Sequence, residues 1–264
     1  MGISIQDKSV VFSDDFPVLG NIVRNDVLKW GMRPINALSA INLAETTATV
    51  KAVNNPVFNS KIGFYRNAAN QGYFSAENMD MKDTKKTIFV TFTIPENLSN
   101  GQHTIAGSYN YPFVNDYPCG FSAILVVDAS GLTLWGMTAG IGSNTTDVSS
   151  AWSTLKLSKT TGTFCLAISV DHKNSMIKAH ELNINSSIAF ENLGNLDFTK
   201  YTGTNTKVQD FRFGIGSNET TDTRIDFHEC FYFNDVLTDS ELQQQKEYSK
   251  LILNAKNIDV SSWT

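Results

Sequence analysis

The residues best suited to chemistry lie at positions 109–117, where Tyr109, Tyr111, Phe113 and Tyr117 are interleaved with Asn110, Asn115 and Asp116. Sugar rings offer apolar C–H faces that stack on aromatic side chains, and amides, carboxylates and backbone groups take their hydroxyls. The stretch also carries Pro112 and Pro118 and is too polar for a core, which predicts exposed rings. Trp135, on a predicted strand, either adds a ring to such a surface or fills a core. A second feature is an internal echo: Gly140-Ile-Gly-Ser-Asn-Thr-Thr-Asp147 recurs as Gly214-Ile-Gly-Ser-Asn-Glu-Thr-Thr-Asp222. Two similar turns would explain it, since Gly permits positive φ and Asn and Asp bond their own backbone. The sharper reading puts both loops at one rim, where Asn144, Asn218, Asp147 and Asp222 face a ligand or Ca2+.

Covalent chemistry finds little support. There is no Gly-x-Ser-x-Gly elbow, and the histidines at 103, 172, 180 and 228 lack HExxH or other ligand spacing. Single histidines on strands or turns read as structural. Gly140 and Gly214 each open a Gly-x-Gly without the third glycine or the helix that would hold a phosphate. Cys119, Cys165 and Cys230 have neither zinc nor disulfide-framework spacing and read as buried thiols.

These groups must be positioned by strands. Residues 86–94 alternate β-branched and aromatic side chains. Residues 121–127 and 132–137 flank Asp128-Ala-Ser-Gly131, a hairpin connection. Residues 164–170 and 175–182 pair across the turn Asp171-His-Lys-Asn174, and residues 211–215 and 225–233 complete the set. A helix follows: Thr238 is its expected N-cap, Glu241 completes a capping box, and Leu237 staples against Leu242. Its apolar stripe runs through Leu242, the Lys246 stem, Ser249 and Ile252 or Leu253. Residues 1–44 read as an arm or as additional strands, with a helical turn as the alternative at 26–30, and residues 45–264 as one domain.

The chain has 264 residues and a formal net charge of −5; charged residues are 18% and aromatic residues 11%. That composition belongs to an ordered globular chain. No Lys/Arg-rich run exists to bind phosphates, which sets nucleic acid aside. No apolar run reaches a membrane span, so no membrane insertion is expected. The first residues lack a basic n-region and an apolar h-region, so no Sec signal is visible.

The segment 225–242 resembles the closing motif of laminin-G-like jelly rolls, with Glu229, Phe233, Asn234, Leu237, Thr238 and Glu241 at matching positions. Residues 59–65, 72–76, 86–94, 164–170 and 210–216 resemble earlier strands in the expected order, so the resemblance covers about residues 45–253. It implies an all-β, two-sheet antiparallel jelly-roll sandwich of the concanavalin A-like lectin/glucanase type, with one short helix near the C-terminus. It also implies a rim Ca2+ site, for which Asp116 and Asn218 or Asp222 stand at roughly matching places and Asp147 is a further candidate. Glucanases of that superfamily carry a Glu-x-Asp-x-Glu strand, whose period of two sets the acids on one face. None is present. On the nearest acid-bearing strand, simple alternation places Asp226 and His228 on one face and Glu229 on the other, and Arg224, Asp226 and His228 read as an ion cluster.

The expectation is therefore a non-enzymatic recognition module for a glycan or other cell-surface ligand, with Tyr109, Tyr111, Tyr117, Trp135, Asn144 and Asn218 as binding residues. Low charge and the bias to Asn, Ser and Thr suggest a phage or virion surface component, a tail or receptor-binding part reaching the exterior by assembly and lysis. The alternatives are a structural virion protein that self-associates, as a trimer or with other virion proteins, and a polysaccharide-degrading enzyme.

Overall fold

The computed structural model describes residues 22–37, 39–59, 61, 63–79, 83–108, 120–141, 148–191, 210–214 and 223–264. Two antiparallel sheets stack face to face, as the sequence led us to expect. The first runs β13 (Ser186–Glu191), β12 (Met176–Glu181), β11 (Gly162–Asp171), β6 (Lys85–Ile94), β15 (Ile225–Phe233), β4 (Phe64–Arg66) and β3 (Val57–Phe58), and β1 (Leu28–Met32) pairs with the later half of β15. The second runs β10 (Val148–Lys156), β9 (Gly131–Ile141), β8 (Gly120–Asp128), β7 (Gly101–Gly107), β14 (Arg212–Phe213), β5 (Tyr73–Glu77) and β2 (Thr49–Val53). The hairpin at residues 128–131 closes β8 on β9, with Asp128 Oδ1 accepting from the Ser130 N–H at 2.7 Å. The segment before residue 45 contributes β1, whose Trp30 and Met32 enter the main core. The helical turn at its start is a 3-10 turn over Asn25–Val27 only.

Side-chain alternation explains why the first sheet is buried on both faces. On β6, Ile88, Val90, Phe92 and Ile94 point between the sheets, while Phe89 points outward into a second cluster. On β11, Phe164, Leu166, Ile168 and Val170 point inward, and Cys165 and Ala167 outward. Burial on both faces makes such strands read as near-continuous apolar runs. The outer cluster is roofed by α1 (Asp239–Ala255) and the tail after it, with Leu242, Ile252, Leu253, Ile258, Val260 and Trp263 facing the sheet. The helix starts as expected. Thr238 Oγ1 accepts from the Glu241 N–H at 3.2 Å, and Glu241 Oε2 accepts from the Thr238 N–H at 2.7 Å. The tail, which shows no periodicity in sequence, is pinned where the Trp263 indole donates to the Thr163 carbonyl at 3.0 Å.

β15 carries the one irregularity that shapes the site. Its register against β6 slips between Phe227 and Glu229, a bulge at His228. Ile225 and Phe227 precede the bulge on the inner face, and Cys230 and Tyr232 resume it afterwards. Asp226, His228 and Glu229 consequently all lie on the outer face. This corrects the strict alternation that placed Glu229 opposite the other two: one extra residue shifts the period by one. The bulge is accommodated by Gly63, at φ +97°, where a Cβ would stand 1.7 Å from the Phe227 carbonyl oxygen and 3.1 Å from the His228 Cα. Gly63→Ala is expected to cost about 2–4 kcal/mol, combining left-handed strain with the clash, read as a lowered urea midpoint. A change below about 0.5 kcal/mol would contradict this packing.

Candidate functional site

Most of the residues singled out from sequence, namely Tyr109, Tyr111, Tyr117, Asn144 and Asn218 for ligand and Asp116, Asp147 and Asp222 for metal, lie outside the described residues. β7 and β9 run in the same direction, so both finish at one end of the second sheet. β14 runs antiparallel to β7, and the Gly214 N–H bonds the Ile105 carbonyl at 2.8 Å on the way to the opposite end. There Thr223 Oγ1 accepts from the Ser99 N–H, just before β7 begins. Residues 142–147 and 215–222 of the two echo segments, expected at a single rim, lie outside the described residues. Among the described residues no group of three His, Cys, Asp or Glu side chains could hold a metal ion.

Trp135 is described, and it faces away from the main core. It sits half-buried on the outer face of the second sheet with Ile124, Val126 and Met137. Trp152 on β10, the register partner of Met137, is 53% exposed beside it. Trp152 was missed in sequence because a strand tryptophan shows no face until its register is known.

The first sheet carries a cleft of about 500 Å3 on its outer face, at the end where β6 finishes and β15 begins. Its floor is a line of hydroxyls and one imidazole across three strands. Thr163 Oγ1 and Thr93 Oγ1 are 3.1 Å apart, and Thr93 Oγ1 is 2.8 Å from His228 Nε2. Beside them Arg224 grips Asp226, Nη2 to Oδ1 at 2.8 Å, and its guanidinium lies 4.5 Å from the centre of the Tyr65 ring. The opposite wall is the tail after α1, with Asn257, Asp259 and Ser262. Lys61 Nζ donates to the Asn257 carbonyl at 2.8 Å, and Lys159 Nζ donates to Ser262 Oγ at 3.1 Å. The Ser261 N–H and hydroxyl, with Lys159 nearby, hold the Asp259 carboxyl below its usual value. The ion cluster of Arg224 and Asp226 expected from sequence is present. That it forms the side of a cleft was not readable, because the bulge and the roof are both tertiary features.

The other reactive groups are structural. Burial pushes the Cys165 and Cys230 thiols well above their usual value, which leaves them protonated and unreactive. His103 Nε2 meets the Ser99 carbonyl at 2.9 Å, and His172 Nε2 meets Thr138 Oγ1 at 3.1 Å. Cys119 lies outside the described residues.

No family model and no curated protein sequence matches the chain. Its fold is similar to that of solved neurotoxin domains. The receptor binding domain of botulinum neurotoxin D superposes with a TM-score of 0.62 at 13% identity, covering 87% of this chain and 54% of that one. The serotype D ligand binding domain in complex with N-acetylneuraminic acid gives a TM-score of 0.62 at 13% identity, covering 87% and 52%. The serotype C1 binding domain gives 0.58 at 12% identity, covering 86% and 52%. The chain spans about half the length of these structures. At such identity the likeness concerns the sandwich fold, and the laminin-G-like resemblance is carried by sequence motifs alone.

Proposed function

We propose that the chain is a non-enzymatic recognition module that binds a glycan or another cell-surface ligand, and that the outer cleft of the first sheet is its binding site. The observation that carries this reading is the cleft itself. Its volume suits a small saccharide, and it combines hydroxyls, amides, carboxylates and cations on rigid strands. Its acids are occupied: Asp226 is held by Arg224, and Asp259 is held below the usual carboxylate range. A glycosidase acid needs the reverse, a carboxyl pushed upward. One of the similar neurotoxin domains is described as receptor binding and another as a ligand binding domain in complex with N-acetylneuraminic acid, which agrees with this reading. Placement on a virion or phage surface is part of the proposal, on the composition of the chain.

A glycan array followed by amide NMR titration tests it. The expected result is a hit that shifts Thr93, Thr163 and His228, and that Arg224→Gln weakens about 10-fold with the melting temperature within about 2 °C. A silent array, or shifts confined to other surfaces, would overturn it. The second reading is self-association, favoured by the apolar strip of Trp135, Met137 and half-exposed Trp152. It expects a trimer or other oligomer by light scattering that Trp152→Ser dissociates.

A further inference from the structure

We infer that the ligand of this cleft carries a negative charge, a carboxylate or sulfate ester on a saccharide, and that Lys61 and Lys159 receive it. This rests on the recognition reading above and specifies its chemistry. Three cations and two acids line the cleft. Arg224 and Asp226 neutralise each other, and Asp259, bonded to Ser261 with Lys159 nearby, offsets one of the two lysines, which leaves the cleft one positive charge in excess. Among the described residues Lys61 and Lys159 donate to neutral oxygens and neither forms a direct ion pair. Each ammonium has three donors and spends one, which leaves two for a ligand. The positive field is local, since the whole chain is acidic at −5.

Both lysines already have contacts in place. Lys159 lies 5.2 Å from the Phe164 ring centre and is tied to Ser262, and Lys61 is tied to the tail. Gly162, at φ +103°, leaves room for the Lys159 ammonium, since a Cβ there would stand 3.1 Å from Nζ. Ordering before binding lowers the entropy lost with the ligand. Among the described residues the lining contains no Phe, Tyr or Trp, and the nearby Tyr65 ring is covered by Arg224. Stacking, the usual hold on a neutral sugar, is not offered here. Charge and hydrogen bonds are.

The test compares 3′-sialyllactose, 3′-sulfolactose and lactose by calorimetry on the full chain. Both anionic saccharides are expected to bind at least about 10-fold more tightly than lactose, the tighter of them identifying the preferred group. Their affinity should fall several-fold between about 50 and about 300 mM salt. Lys61→Gln and Lys159→Gln, which keep a donor for the tail, should each weaken binding about 10-fold, whereas Lys159→Arg stays within about 3-fold. Equal affinity for lactose with indifferent lysine variants overturns the charge inference and leaves recognition standing. Binding of none of the three, together with a silent array, overturns both. A phosphorylated peptide that binds at the lysines while all saccharides fail overturns the saccharide assignment.

Discussion

Arg33→Ala is expected to cost about 3–5 kcal/mol of folding stability, a fifth or more of the roughly 5–15 kcal/mol that an ordinary domain holds. Arg33 and Glu229 are both fully buried, and the guanidinium Nε donates to Glu229 Oε1. Thr91 Oγ1 donates to Glu229 Oε2 at 3.2 Å, and the Arg33 guanidinium lies 5.0 Å from the Phe231 ring centre. Deleting the arginine leaves a fully buried carboxylate with Thr91 Oγ1 still donating to it, where a lone charge is far more costly than a pair is beneficial. The double replacement Arg33→Met with Glu229→Leu should recover most of the loss, because it removes both desolvated charges and keeps apolar volume. Urea unfolding of the three proteins decides the matter. If Arg33→Ala falls within about 1 kcal/mol of the parent, or the double variant is no better, the pair is not the electrostatic element described.

The same pair shows where sequence reading stops. Residues 225–233 are legible as a strand, since period-two apolar runs and turn chemistry are local signals. The partner of Glu229 is 196 residues away in a segment without strong periodicity, and the bulge that turns Glu229 outward depends on a glycine at residue 63. Helix α1 was legible to its cap because N-capping is written in four consecutive residues. The tail was not: Ile258, Val260 and Trp263 are spaced by neither helix nor strand, and their burial follows from the groove they fill. The cleft inherits this illegibility. Arg224, Asp226 and His228 are visible as a strand cluster, but Lys61, Lys159 and Ser262 join them only once the β3–β4 region, the turn before β11 and the tail converge.

Acidification from neutral pH toward pH 4 should strip the fold of a large share of its stability, before any carboxylate is involved. Burial lowers His172 from 6.5 to about 3, with Lys86 adding to the effect, and lowers His180 to about 4, with Lys178 pushing down and Asp239 opposing. The unfolded chain protonates both near the ordinary value of 6.5, whereas the folded chain holds them neutral. The unfolded state therefore binds more protons, and stability falls as pH drops through 6.5 toward the folded values, by about 3 kcal/mol for each histidine near pH 4. The carboxyls run the other way and later. Asp239 is held low by Lys178, and Glu241 by the Thr238 N–H and hydroxyl and by Arg24, against the upward push of burial. Their contribution is present at and above the usual carboxylate range and is lost only as pH falls below it. Urea midpoints measured from about pH 7.5 to about pH 4.5 should decline with a slope approaching two protons, and His180→Gln should remove about one of them. A flat profile over that range would mean that neither imidazole is kept neutral by the core. A decline that begins only below the carboxylate range would assign the acid sensitivity to the helix cap and the Lys178–Asp239 bridge instead.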